Sequence, residues 1–431
     1  MTMTVNNSAG PPAPAVEPGT ISKDVQQRVQ AAISEMRADL FERDTLIHSM
    51  WVAVIGQLHL LQLGPGGIAK TYSIRRLVQH IENARYFEAT LDETTDPSMV
   101  YGPPNVKAMV EEGKTSFCTE GMLPEAHYTM LDEFFNANQP LLHSLQPLLN
   151  ERVHPNGGVT SQIPLRSCFM GTNKLNADVE VAWLWDRVHI RELVDDIQDR
   201  QNSMAMLGAA ISRMALVGRG TSTTLPGQSL TKLTLTELDQ AHVEALSLPI
   251  PDAVLETFYD MRDELRNGAA QVRISPRREV ESMAAVLANA WVRGHDEVQV
   301  TDLDILASMW WTVQDQRAEA RSVILAAANP SEKAALELLD ELAKVKIELA
   351  AMDDSSLDAS RKTRIAIEQI SNLDRLLEDA GDHLNKAKAG GVGTTRIEEV
   401  IGKANAVKVK IGKDHFGMDY TTQQNLVNAA R

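Results

Sequence analysis

Residues 58–72, LHLLQLGPGGIAKTY, constrain this chain more than any other stretch, because an apolar run empties into a glycine-rich turn and then into a helical pattern. Leu58, Leu60, Leu61 and Leu63 suit a short buried parallel strand. Gly64, Gly66 and Gly67 let the backbone curl so that successive amides point inward, and the positive end of the following helix completes an anion cradle. Lys70 would reach the outer phosphates of a nucleotide, and the Thr71 hydroxyl would complete a magnesium shell. The expected binding stretch is Gly64, Pro65, Gly66, Gly67, Ile68, Ala69, Lys70, Thr71 and Tyr72. Its spacing is that of a Walker A loop, GxxxxGK[ST], with Ala69 where the last glycine belongs. The plain alternative is a strand-to-helix turn with an exposed lysine. Strand, loop, Lys-Thr and helix in that order favour the cradle.

Composition narrows the class further. A chain of 431 residues divides into two or three domains. A net charge of −16 opposes coating nucleic acid, which needs a basic surface, although a local basic strip in a ring pore would escape that average. Cys118 and Cys168 stand far apart without metal-ligand spacing, so neither a disulfide framework nor a zinc site is expected. No apolar run reaches about 18 residues, so no membrane span is expected. Residues 1–20 lack the basic start and apolar core of a secretion signal; they read as a disordered tail on a cytoplasmic protein.

Before the loop, Val25, Val29, Ile33, Met36 and Leu40 mark one helix and residues 46–55 a second, ending at Gly56. After it, the pattern predicts a helix over 74–81 and a strand over 86–91, then an insert containing residues 106–110, EEGKTSF and GMLPEA. Such an insert is either a surface excursion or a loop that projects into a pore. HYTMLDE then supplies an apolar strand ending in two acids. At the carboxyl edge of a parallel sheet, Asp132 would hold magnesium through water and Glu133 would deprotonate the attacking water. A helix over 140–151 and a hairpin turning at residues 156–158 lead to the strand SCFMGTN. Asn173 at its end can reach a γ-phosphate or the water, or merely form a turn. Arg187 in LWDRVHIREL could complete a neighbour's site as an arginine finger, or pair structurally with Asp186 or Glu192.

The order of these elements, with LLQLGPGGIAKTYSIRRL, NARYFEATLDETTDPSMVYGP, MLDEFFNA, LLNERVHPNG, GTNKL and LWDRVHIREL, resembles AAA+ ATPases of the MoxR family, most closely the RavA-like branch. The resemblance continues through SLPIPDAVLETFYDMRDEL, ISPRREVESM and VQVTDLDILASMWW, covering residues 41–311. It implies Lys70 and Thr71 as Walker A, Asp132 and Glu133 as Walker B, Asn173 as sensor one, Arg187 as arginine finger and Arg277 as sensor two, with Arg278 the neighbouring alternative. The insert and the hairpin around Gly157 look like the helix-two insert and pre-sensor hairpin of that clade. It also implies ATP, ADP and Mg2+ as ligands, a homo-oligomeric ring, hexameric in number, and a von Willebrand factor A domain protein as partner.

Residues 235–328 read as a helical lid. Val254, Phe258 and Met261 share one helical face, and Val280, Met283, Val286, Leu287 and Ala290 another. Residues 206–234 read as a linker, with 218–228 a polar, mobile loop. Beyond Pro330, three apolar stripes with spacings of three and four, joined by DDSS and AGGVG, suggest an antiparallel helical bundle or arm over 329–431. No strand-rich insertion of the kind carried by RavA-like proteins is evident there. The expected fold class is therefore α/β: an AAA+ parallel-sheet P-loop core over 21–205, a helical lid and a C-terminal helical domain. The expected activity is Mg-dependent ATP hydrolysis that remodels a protein partner. Two rivals are a nucleic-acid motor of the same clade and an ATP-binding scaffold without turnover.

Overall fold

The computed structural model describes residues 22–173, 185–217, 230–269, 271–351, 359–389 and 395–416. It divides into two compact units, residues 1–321 and 322–431. The tail over 1–20 and the loop over 218–228 lie outside the described residues.

The first unit opens with α1 (Lys23–Asp39) and α2 (Asp44–Gly56). α1 is amphipathic and buries Val25, Val29, Ala32, Ile33 and Met36. α2 is apolar on nearly every side, and it is buried on nearly every side. The central sheet holds β1 (Leu60–Leu63), β3 (Tyr86–Thr90), β4 (Tyr128–Asp132), β7 (Ser167–Thr172) and β8 (Ile190–Leu193) in the order β3-β4-β7-β1-β8. All its pairings are parallel. Every residue of β1 and β7 is buried, as sheet strands covered on both faces must be. Each of their large apolar side chains contributes roughly 1.5–3 kcal/mol by leaving water.

α3 (Lys70–Val78) follows β1, and β2 (Ile81–Glu82) follows α3. The helix expected over 74–81 thus begins and ends earlier. Ile81 instead pairs in parallel with Leu233 of β9 (Leu233–Thr234). The insert contains the short helices α4 (Ser98–Tyr101) and α5 (Val106–Glu112). The helix expected over 140–151 is two pieces, α6 (Gln139–Ser144) and α7 (Gln146–Glu151). Pro147 at the start of the second cannot continue the first helix's hydrogen bonding. β5 (Val153–Asn156) and β6 (Val159–Gln162) form the expected hairpin, with Gly157 and Gly158 both at positive φ as a two-residue turn requires. The hairpin and insert are joined, because Asn156 Oδ1 accepts from the Phe117 amide at 2.7 Å and its Nδ2 donates to the Phe117 carbonyl at 3.0 Å.

After β8 comes α8 (Arg200–Val217), so residues 206–217 are helical where a linker was expected. The lid consists of α9 (Leu235–Leu246), α10 (Asp252–Asn267), α11 (Pro276–Arg293) and a 3₁₀ run, Val300–Ser308. Thr234 and Glu237 form a reciprocal cap on α9. Phe258 and Trp310 pack edge to face at 4.9 Å in the lid core. α12 (Gln314–Ala328) follows.

The second unit is built on α13 (Pro330–Ala351), α14 (Ala359–Ala389) and α15 (Thr395–Phe416). Ala335, Leu338 and Leu342, Leu373 and Ala380, and Val400 and Ala404 meet in one core. Gln369 bonds Glu348, Lys408 pairs with Asp374, and Arg396 pairs with Glu332 at 3.8 Å. These contacts run the helices up, down and up, the antiparallel bundle that the stripes suggest.

Candidate nucleotide site at the carboxyl edge of the sheet

The glycine loop closes on its own lysine. Lys70 Nζ donates to the carbonyls of Gly64 at 2.6 Å, Pro65 at 3.2 Å and Thr172 at 3.4 Å, so the buried ammonium stands where strand, loop and the neighbouring β7 converge. A Cβ on Gly64 would sit 2.1 Å from the Val194 carbonyl, so glycine is required there. Gly66 and Gly67 face open space. α3 has no side-chain N-cap, which leaves its first amides for a ligand. Ala69 occupies the left-handed region at φ 69, the conformation that a last glycine would adopt without strain.

Thr71 Oγ1 donates to Asp132 Oδ2 at 3.3 Å, bringing the loop and the end of β4 together. Asp132 fits there because its neighbour on β7 is Gly171; a Cβ at that position would stand 2.3 Å from Asp132 Oδ1. Glu133 follows at φ 52, also left-handed, and its amide donates to Asp132 Oδ1 at 3.0 Å. Its carboxylate receives Asn136 Nδ2 at 3.0 Å. Asn173, exposed, follows Thr172 at the end of β7 on the same edge. The open loop amides and Lys70 suit a phosphate chain, and the Thr71 and Asp132 oxygens suit a hard divalent cation that keeps several waters. Among the described residues no cluster of three or more His, Cys, Asp or Glu could hold a metal by itself.

Two expected site residues are not at this edge. Arg187 lies between Trp185 and β8, hence at the amino edge, whereas Lys70 follows the carboxyl end of β1. β1 and β8 are in register from Leu60–Ile190 to Leu63–Leu193, so the strands themselves separate the two by about 10 Å before any loop is counted. Arg187 Nε donates to Asn150 Oδ1 at 2.6 Å, and Arg277 Nη2 reaches the same oxygen at 3.3 Å. Glu192, a conceivable partner for Arg187, is buried and accepts from Ser49 Oγ at 2.6 Å. Arg277 and Arg278 divide sharply: Arg277 is exposed, whereas Arg278 is buried and donates to Thr312 Oγ1 and to the carbonyls of Met309 and Trp311.

Asn150 is set by a buried network behind it. Arg152, at φ 55 just past α7, donates to the carbonyls of Leu149, Gln57 and Arg166 and touches His59 Nε2. His59 Nδ1 accepts from the Cys168 amide at 3.0 Å, and the His189 ring stacks on it at 5.2 Å. Burial, then the Arg152 charge, lowers His189 to about 3 and holds His59 well below its usual range. Sequence reasoning missed Asn136, Asn150 and Gly171. Asn136 stands three residues after Glu133, a spacing that hints at contact; Asn150 carries no local signal.

Residues 27–233 match the family described as the MoxR domain in MoxR-vWA-beta-propeller ternary systems, and residues 253–324 match an AAA lid domain. Two uncharacterized proteins of Methanocaldococcus jannaschii, MJ0079 and MJ0812, are each 25% identical to the chain. The first match covers 79% of this chain and 84% of the relative, the second 88% of each. A crystal structure of a candidate ATPase from Cytophaga hutchinsonii superposes with a TM-score of 0.56 at 14% identity, over 72% of this chain and 96% of that one, and shows the same fold. Among the described residues no helix is long and apolar enough to cross a membrane.

Proposed function

Because the chain is of the MoxR type among AAA+ ATPases, we propose that it hydrolyses ATP with Mg2+ between the subunits of a cytoplasmic homo-oligomeric ring, hexameric in number, and thereby remodels a partner protein. The observation that carries this reading is the convergence of Lys70, Thr71 and Asp132 on one open sheet edge, with Glu133 beside them. Lys70 binds the phosphate chain and draws charge from its bridging oxygens, and Thr71 and Asp132 hold the cation shell. Magnesium, when bound, neutralises charge on the phosphates. The Glu133 carboxylate takes the proton of the attacking water, and Asn136 sets which carboxylate oxygen is free to do so. Asn173 orients that water from the next strand.

Arg187 and Arg277 serve a different copy of the site. Both stand on the amino edge, so they reach a nucleotide only if a neighbouring subunit presents its carboxyl edge to them. In our reading, Arg187 is the arginine finger, Arg277 the sensor and Asn150 their shared support. The partner we propose is a von Willebrand factor A domain protein, in keeping with the systems after which the matched MoxR domain is described. A nucleic-acid motor finds less support: β6 is wholly exposed yet carries no basic residue, and His154 of β5 is buried against Tyr101 at 5.1 Å.

The decisive experiment is turnover in two variants. Glu133→Gln should bind ATP yet hydrolyse it about a hundredfold more slowly, as loss of a general base does, while Lys70→Ala should lose binding at the loop. Wild-type turnover in Glu133→Gln would sink the assignment.

A further inference from the structure

The lid holds a second cationic site. α10 ends at Asn267, and the chain returns to α11 through a turn in which Gly268 N donates to the Glu264 carbonyl at 2.7 Å and Val272 N to the Leu265 carbonyl at 3.0 Å. Gln271 within that turn has φ 44, a left-handed conformation that costs a non-glycine residue energy. Between the turn and the end of α10 lies a cavity of about 460 Å³, lined by Arg262, Arg266, Gln271, Arg273, Ser275 and Glu279 among others. The lining carries three guanidinium groups against one carboxylate, in a chain whose net charge is −16.

That one carboxylate is already engaged. Glu279 Oε1 accepts from Arg262 Nη1 at 3.0 Å, while the Arg262 guanidinium lies 4.7 Å over the Tyr259 ring and pairs with Asp263 at 2.8 Å. Arg262 is therefore a fixed wall. Arg266 and Arg273 are exposed at the cavity and form no ion pair among the described residues. Two exposed guanidinium groups beside a fixed third suit an anion with several oxygen pairs, since each planar fork binds such a pair with two parallel hydrogen bonds. The volume is that of a small-molecule pocket, roughly 300–1,000 Å³, rather than of a flat protein interface. Tyr259 has its ring under Arg262, so that face offers no stacking for a nucleobase.

We propose that this cavity binds a condensed phosphate chain, either free inorganic polyphosphate or the tail of a nucleoside triphosphate. The site is separate from the Lys70 loop and does not depend on hydrolysis. It is tested by calorimetric titration of tripolyphosphate, and separately of ATP, into the Lys70→Ala protein, in which the loop has lost its ammonium. Tripolyphosphate should bind, and Arg266→Ala with Arg273→Ala added to that background should weaken it at least tenfold. Both arginines are exposed and form no ion pair among the described residues, so the melting temperature should not change; paired Lys replacements, which keep the charge and lose the fork, should give an intermediate affinity even if the Ala pair proved unstable. ATP binding with the same sensitivity identifies the nucleotide tail as a source, and its absence beside tripolyphosphate binding identifies free polyphosphate. No binding to Lys70→Ala, or binding indifferent to Arg266 and Arg273, overturns the proposal.

Discussion

Arg187 is tied to Asn150 through a 2.6 Å hydrogen bond from its Nε to Asn150 Oδ1. The same oxygen accepts from Arg277, so one amide gathers two cations. Burial first, and Arg277 second, hold Arg187 below its ordinary pKa. The proposed trans role of Arg187 is tested by mixing subunits. Arg187→Ala and Lys70→Ala should each be inactive, yet mixed oligomers should recover part of the ATPase, because some interfaces join an intact loop to an intact arginine. Recovery of none in mixtures that demonstrably exchange subunits would make Arg187 a structural residue.

Arg277 and Arg278 are neighbours with opposite expected phenotypes. Arg278→Ala removes the donor to the Met309 and Trp311 carbonyls within a buried cluster, a loss of about 2–4 kcal/mol, so its melting temperature should drop by many degrees. Arg277→Ala removes an exposed side chain and should cost less than about 0.5 kcal/mol. Its ATPase rate should nevertheless fall about tenfold or more with nucleotide affinity retained. Differential scanning calorimetry beside steady-state turnover separates the two; the reverse pattern would exchange the assignments.

The parts of this molecule that were legible in the sequence are those whose signal is local. Strand, glycine loop and helix sit within residues 58–72, the acid pair closes one apolar run, and Asn156-Gly157-Gly158 announces its own turn. Asn150 was invisible because its role is tertiary: it joins α7 to Arg187 before β8, 37 positions on, and to Arg277 at the start of α11, 127 positions on. α8 was missed for a different reason. Its apolar residues Met204, Leu207, Ile211 and Met214 do recur at helical spacings of three and four, but the stripe is exposed and mixed with alanine and serine, and it runs straight into a polar segment with which it was read. That Arg277 is exposed and Arg278 buried is a tertiary fact, which adjacency in sequence does not reveal.

Acid should destabilise the amino-edge network in a defined window. His189 Nδ1 accepts from the His59 amide at 2.8 Å, and Arg152, Arg191, Arg277 and Arg278 all oppose a positive charge there, while Glu281 stands 3.8 Å from Nε2. The folded value is about 3, against about 6.5 in an unfolded chain. Between those values the unfolded state binds a proton that the native state refuses, so stability rises with pH and is lost as pH falls below about 6.5. From pH 7 to pH 5 this one histidine contributes a loss of about 2 kcal/mol. Urea unfolding over that range should show a steeper pH dependence for wild type than for His189→Asn, whose amide can keep the acceptor. Equal slopes would mean that His189 titrates normally.

Ala69 explains why the loop departs from the glycine pattern yet keeps its shape, and the explanation has a measurable cost. At φ 69 and ψ 24 the alanine Cβ crowds the following carbonyl, worth about 1–2 kcal/mol against glycine. Glycine loses more chain entropy on folding, which returns about 0.5–1 kcal/mol of that difference. Ala69→Gly should therefore be neutral or slightly stabilising, with ATP affinity within about threefold of wild type, because the loop amides need not move. Ala69→Val should lose more than about 2 kcal/mol, since a β-branched side chain tolerates this region least. Chemical unfolding of the two variants is the check. If Ala69→Gly were destabilised by more than about 1 kcal/mol, the left-handed conformation at Ala69 would not be a source of strain.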